Sequence, residues 1–314
     1  MQRHVAVMAC VLAATALFTA FCHDQFLLSL AFTGLIFAVL GQSWNWISGY
    51  AGQVSFGHAL FFGTGAYASA LFATHHGSPW LALACGAAVA VVLALLVGFP
   101  CFALRGHYFS IATIAVAAIA EIVVVNTDAL GKANGFELPI LPPGLASLQF
   151  AGKAPYVLVA LVLFAAAQIA TVALEHSRTG YYLRAIRANQ EAAASVGVDA
   201  RAVKVTAFAG AAAFAALAGS LYAQQTLFVD AESTLGLSVS IAIALVGVVG
   251  GIGTVWGPPL GAFVYTFLAR YVAALYGGHG RGFDLLLYGA LILAIVSVQP
   301  EGIAGIARRF RART

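Results

Sequence analysis

The sequence predicts an all-α, polytopic membrane bundle of about ten transmembrane helices, and three observations carry that expectation. Of 314 residues, 62% are hydrophobic and only 8% are charged, where a soluble domain carries about a quarter charged. So little charge leaves too little polar surface to cover a soluble chain, which excludes a soluble enzyme. The mean hydropathy of +0.94 excludes disorder, because disordered chains lack apolar residues. The unbroken apolar run from Val89 to Val97 excludes a transmembrane barrel, whose strands alternate polar and apolar residues.

A helix that crosses the hydrocarbon core needs about 20 mostly apolar residues. That rule predicts spans at 5–22, 26–47, 54–73, 80–104, 109–126, 156–175, 203–226, 235–250, 257–276 and 284–299. The regions 54–73 and 235–261 are rich in glycine, so each reads either as a clean span or as a broken or re-entrant helix. Lys and Arg are retained on the cytoplasmic side, and ten spans with both termini inside sort them well. Arg3, Arg105, Arg178, Arg184, Arg187, Arg201, Lys204, Arg308, Arg309, Arg311 and Arg313 fall inside. Only Lys132, Lys153 and Arg281 fall outside, and Arg270 sits within a span. The net charge of +4 therefore reflects membrane anchoring and predicts no nucleic-acid partner.

The first segment resembles a secretory signal in having Arg3 before an apolar stretch, but Ala20-Phe21-Cys22 is a poor cleavage site and more spans follow. It is read as an uncleaved span. Cys10, Cys22, Cys85 and Cys101 lie in or beside apolar segments without C-x-x-C spacing. They are expected to be small buried hydrophobes, not disulfides or metal ligands. The chain reads as a single transmembrane domain over 1–314 with two polar interruptions. The outer one, 127–155, holds Pro139, Pro142 and Pro143; the inner one, 176–202, is basic, amphipathic and helix-forming. A bare connector between two spans does not need the second.

No catalytic motif is visible. H-E-x-x-H, G-x-S-x-G and metal-spaced Cys/His clusters are absent, and without G-x-x-x-x-G-K-[ST] no ATP is expected on this chain. His58, His75 and His76 read as interface histidines rather than metal ligands. Polar groups at membrane depth are more informative, because each is costly unless it faces protein or water. Helical spacing puts Ser110, Thr113, Ala117, Glu121, Val124 and Asp128 on one side of the fifth span, opposite Ile111, Ile114, Ala118, Ile122 and Val125. Glu121 thus either bonds a neighbouring helix or lines a path. Glycines 49, 52, 57, 63 and 65 surround Gln53 and Ser55, after Gln42, Ser43 and Asn45, like the broken helices that line permeation paths. Gly247/Gly251 and Gly253/Gly257/Gly261 repeat a close-packing spacing, and helix packing is the favoured role there.

Several of these segments, in order, resemble one family. Gly52-Gln-Val-Ser-Phe-Gly-His58 with Gly63 and Gly65-Ala-Tyr67 is similar to the signature of Liv-type permeases. These are inner-membrane subunits of bacterial branched-chain amino acid ABC importers. Leu104-Arg-Gly-His-Tyr-Phe109 with Glu121 resembles the M-type subunit of the pair. Arg178-Thr-Gly180, Arg184 to Asn189 and Glu191-Ala-Ala with Gly197 resemble the cytoplasmic coupling region. Gly250-Gly-Ile-Gly253, Gly257-Pro258 and Gln299-Pro-Glu-Gly302 also match. One departure stands after the fifth span, where Lys132 breaks a glycine pair common in the family.

The resemblance implies a type II importer permease fold and a multi-subunit complex. The expected partners are a second related permease, two ATP-binding subunits that hold ATP and Mg, a periplasmic substrate-binding protein and the lipid bilayer. It also implies coupling through Glu191, Ala192, Ala193 and Gly197, to which charge adds Arg184, Arg187 and Asp199. Gln53, Ser55, Thr113 and Glu121 are the expected substrate-path residues. The rival expectation is a stand-alone proton-coupled transporter or channel, using Glu121 and Asp284 as a relay.

Overall fold

Twelve helices and one short ribbon make up a computed structural model that describes residues 2–75, 77–104, 106–276, 302, 303 and 305. Helix α1 (Gln2–Phe21) packs on α6 (Ala154–His176), and Asp24 caps α2 (Gln25–Asn45) by accepting from Phe26 N. The end of α2 widens into a π-helical turn, Trp46–Tyr50, so the second span reaches further than residue 47. Residues 51–57 carry no regular structure, and α3 begins at His58 and runs to Thr74. Then come α4 (Pro79–Cys101), α5 (His107–Asn126), α6, α7 (Arg178–Ala188), α8 (Gln190–Ser195) and α9 (Ala200–Thr226). The expected span 235–250 is divided into α10 (Ala231–Leu235) and α11 (Leu237–Gly250), and α12 (Gly257–Tyr276) follows an irregular stretch.

Six of these stretches are long and apolar enough to cross a membrane: 25–50, 79–101, 107–126, 154–176, 200–226 and 231–250. The apolar part of α1, Val7–Phe21, is shorter, and α3 has 17 residues. The expected span 284–299 lies outside the described residues, as do Arg281 and Asp284.

Small residues let the helices meet. Helix α9 runs through the centre against α3 and α4, with Ala207, Ala211, Ala212, Ala215, Ala216 and Ala218 buried. In lipid the packing of close backbones replaces the hydrophobic drive that works in water. At the α3–α9 crossing a methyl on Gly65 would collide with the Ala216 backbone, and one on Gly219 with the Phe62 carbonyl. Ser220 Oγ seals the contact by donating to Gly65 O at 2.8 Å. Gly257 and Gly261 of α12 pack against the backbone of Gly250 and Val246 on α11, the role favoured from their spacing.

Helix α2 is the hub of the core, with Leu35, Ala38, Val39, Leu40 and Trp44 fully enclosed. By contrast, α5 lies at the edge: 22% of its spanning window is buried, against 67% for α10–α11. Beyond the end of α9, β1 (Phe136–Glu137) pairs antiparallel with β2 (Phe228–Val229). This ribbon ties the 127–155 loop to the end of α9, an element the all-α expectation did not contain. Lys132, the residue that departs from the family pattern, adopts a positive φ of 52° and pairs with Asp128.

All four cysteines are unpaired. Cys101 is buried as expected, but Cys10 is exposed, because the peripheral α1 meets the bundle along one face only.

The glycine contacts generate a prediction. Gly219→Val drives a side chain into the Phe62 carbonyl and should cost at least the ~1–3 kcal/mol typical of an overpacked core. Gly152→Val, where nothing lies within 4 Å, should be silent. Thermal unfolding of the purified protein in detergent distinguishes them, and equal melting temperatures would show that the crossing is not close-packed.

Candidate functional site

Two irregular segments, 51–57 and 251–256, and helix α7 meet around the polar end of α2 and the π-helical turn that follows it. Non-helical backbone at membrane depth persists only if its N–H and C=O groups find partners inside the protein. In the first segment side chains supply them. Trp44 Nε1 donates to Ser55 O at 2.7 Å, and Ser55 N donates to Ser48 Oγ at 3.1 Å. Phe56 N donates to Thr113 Oγ1 at 3.1 Å and Gly57 N to Ser55 Oγ at 3.3 Å. Ser110 Oγ donates to Val54 O at 2.7 Å, and Gln53 Nε2 to Leu104 O at 3.3 Å.

The second segment is held from the same helix. Gly253 N donates to Asn45 Oδ1 at 2.8 Å, while Asn45 Nδ2 donates to Thr254 O at 3.0 Å. Gln42 Nε2 reaches Val255 O at 2.8 Å and also Gln168 Oε1, whose own amide donates to Val255 O at 3.2 Å. Gln42, Asn45 and Gln168 are fully buried. The polar end of α2 therefore serves both breaks at once. That pairing was not legible in the sequence, although Gln42, Ser43 and Asn45 stood out there.

The expected path residues separate in space. Ser55, Thr113 and Gln53 are buried; Ser55 and Thr113 flank Phe56, and their groups satisfy backbone. Glu121 lies apart from them on α5, half-buried, with no hydrogen bond or ion pair among the described residues. The facing read from helical spacing holds in part on α5: Thr113 and Ala117 turn inward while Ile111, Ala118 and Ile122 are exposed, but Ile114 and Val125 are half-buried and Asp128 is exposed. His58 is fully buried, with Nδ1 3.4 Å from Ser55 Oγ and its ring edge-on to Phe61 and Phe208. Among the described residues no group of His, Cys, Asp or Glu is placed to hold a metal.

Segment 176–202 is a compact module built on two short helices, α7 and α8. Ser177 caps α7 by accepting from Gly180 N, Asn189 caps α8 by accepting from Glu191 N and Ala192 N, and Asp199 caps α9 by accepting from Arg201 N and Ala202 N. Such caps each stabilise a helix start by about 1 kcal/mol, so the polar spacing of this segment sets where its helices begin. Asp199 thus has a structural role that its charge alone did not indicate. Ala193 is buried with Ile186 and Ala200 in a small local core, whereas Glu191, Ala192 and Gly197 are exposed. Gly197 takes a φ of +88°, with nothing within 4 Å of where a methyl would stand, so the turn after α8 needs a left-handed residue.

Arg184, Arg187 and Lys204 each have a partner. Arg184 Nη2 donates to Glu175 O at 2.9 Å, its guanidinium lies 3.9 Å from the Glu175 carboxylate, and it stacks over Tyr181. Arg187 Nη1 donates to Gly49 O at 2.5 Å. Lys204 is fully buried, and its Nζ donates to Gln190 Oε1 at 3.2 Å with the Phe102 ring 5.3 Å away. Lys204 was not singled out in the sequence, because a lysine at the start of a span reads as an interfacial anchor.

Removing side-chain partners from the breaks should destabilise the protein. Thr113→Val orphans Phe56 N at a cost of about 1–3 kcal/mol. Asn45→Leu orphans groups on both Gly253 and Thr254 and should cost more. Detergent melting of the two variants checks the order, and a wild-type transition for Asn45→Leu would contradict it.

Comparison with known proteins places this arrangement. Residues 26–296 match the model of a family described as branched-chain amino acid transport system / permease component. The chain is similar to the high-affinity branched-chain amino acid transport system permease protein LivM of Escherichia coli K12. The two are 28% identical over 299 residues, covering 87% of this chain and 69% of that protein. It is also similar to LivH of Salmonella typhimurium, at 23% identity over 288 residues, covering 87% of this chain and 92% of that one. A probable LivM of Methanocaldococcus jannaschii is 26% identical over 235 residues, covering 68% of this chain and 67% of that one. No solved structure matches the chain. With several apolar helices of spanning length and a family match over most of its residues, this multi-pass membrane protein belongs to the family of permease components of branched-chain amino acid transport systems.

Proposed function

We propose that this permease is one half of the translocation pathway of an ABC importer. A second, related permease forms the other half. Two ATP-binding subunits dock on the cytoplasmic side, carrying the ATP and Mg, and a periplasmic substrate-binding protein delivers cargo. The cargo proposed is a branched-chain amino acid, the class named for the LivM and LivH relatives. Similarity to both proteins, with higher identity to LivM, supports an M-type subunit beside an H-type partner.

The observation that carries the motor assignment is the two-helix module between α6 and α9. It exposes Tyr181, Tyr182 and Val196 together with Arg187, Glu191 and Ala192. An apolar surface of this kind outside the spans calls for a protein partner. The sequence carries no P-loop, so ATP hydrolysis belongs to that partner. Arg184, Arg187, Glu191, Ala192, Ala193, Gly197 and Asp199 are the proposed coupling residues.

The proposed pathway runs along α5. A carboxylate within a span is costly against lipid, and Glu121 has no partner among the described residues on its half-buried face. The second permease would lie against this edge helix, with Glu121 toward the path and Gln53, Ser55 and Thr113 in the wall behind. The same lone carboxylate favours the second reading, a stand-alone proton-coupled transporter. Ten spans in the bacterial inner membrane with both termini cytoplasmic complete the proposal, supported by the sorting of Lys and Arg.

Reconstitution separates the two readings. The complex purified from native membranes should take up radiolabelled leucine only with ATP in the compartment of the motor. Uptake by this chain alone on a proton gradient would establish the rival. Within the complex, Glu191→Lys and Gly197→Trp should abolish uptake while immunoblots show normal membrane insertion. Full uptake in either variant would remove the coupling assignment.

A further inference from the structure

Arg187 stands at the end of α7, yet its side chain turns toward the bundle. Its Nη1 donates to the carbonyl of Gly49, in the π-helical turn that ends α2. The last carbonyls of a helix lack partners within the helix and attract cations, so this position suits an arginine. The stem of Arg187 crosses Gly52, its Cγ 2.9 Å from where a Cβ would stand, and its guanidinium fills the place of a Cβ on Gly253. Gly52 and Gly253 both hold left-handed φ angles, +73° and +75°, so a side chain there is strained as well as obstructed. Gly49 and Gly253 are themselves in backbone contact, with Asn45 bonded to Gly253. One exposed arginine thus sits in a socket of three glycines, drawn from both irregular segments and the turn before the first.

We propose that Arg187 is a positioning residue, a detachable pin that couples movement of α7 and α8 to the junction of segments 51–57 and 251–256. This rests on the importer reading above and assigns Arg187 a role distinct from contact with the motor. The chemistry suits a contact that forms and breaks. Buried side chains of α2 and its last turn hold each irregular segment, Trp44 and Ser48 the first and Gln42 and Asn45 the second, whereas the guanidinium reaches the same junction from a side chain that stays open to water. A charge-assisted hydrogen bond at such a boundary exchanges readily with hydration of both groups. Helix α7 contacts the π-helical turn directly, so displacement of the module by a docked subunit acts first on Gly49 and Gly253. With the pin seated, its guanidinium adds to the link between the two breaks; with it withdrawn, the Gly49–Gly253 backbone contact and the side chains of α2 are left to join them.

The test uses the whole complex, purified with its partner subunits and reconstituted in liposomes, with ATP hydrolysis and radiolabelled leucine uptake measured together. Arg187→Ala should leave assembly and hydrolysis near wild type while uptake per ATP falls about tenfold or more, the equivalent of one lost charge-assisted hydrogen bond. Arg187→Lys, which keeps one donor for Gly49 O, should recover part of that ratio. Gly253→Ala, which fills the socket from the other side, should lower it as Arg187→Ala does. An unchanged ratio in Arg187→Ala would overturn the pin. So would loss of subunit assembly in that variant, which would make Arg187 a docking residue and leave the importer reading intact. Failure of the wild-type complex to couple uptake to ATP would instead remove the importer reading itself.

Discussion

The structure depends on one constraint: irregular backbone within a membrane must bond to its own protein. In hydrocarbon each unpaired N–H or C=O costs several kcal/mol, so a helix breaks only where side chains take over. Here α2 and the turn that ends it provide most of them. Trp44 and Ser48 hold segment 51–57, and Gln42 and Asn45 hold segment 251–256. The polar residues of one helix thereby license two breaks that are some two hundred residues apart in sequence. Thr113, Ser110 and Gln168 complete the set from α5 and α6.

Small side chains make this geometry reachable. Backbones approach at Gly65 and Gly219, at Gly250 and Gly261, and at Gly49 and Gly253. Where a helix surface is built of alanine and glycine, dispersion contacts accumulate over the whole backbone. The module of α7 and α8 is made differently. Caps at Ser177, Asn189 and Asp199 start its helices, and a core of three small or branched residues holds them. That is local chemistry of a water-exposed element, grafted between two spans.

Much of the site was readable in advance, and the misses share a cause. The glycine clusters, the acid in the fifth span and the basic segment 176–202 all stand out by composition against an apolar background. The grouping did not. Ser55 and Thr113 were legible as polar, but their bonds to Phe56 and Gly57 depend on the path of a segment with no periodicity. Lys204 looks like an interfacial anchor until α8 is seen to lie over it, placing Gln190 against its ammonium. The β1–β2 ribbon has only two residues per strand, too short to produce a pattern.

The sequence by itself determined the solvent, the helical class and the positions of most helices, because each of these follows from hydropathy summed over a local window. It also marked the glycine-rich regions, but not their roles: Gly63 and Gly65 lie inside the unbroken α3, where they admit close packing. Which break meets which helix was decided only by the tertiary structure. A hydrogen bond between Asn45 and Gly253, or between Arg187 and Gly49, needs residues far apart in the chain to be brought to one point. That convergence is set by helix packing, and no local window contains it.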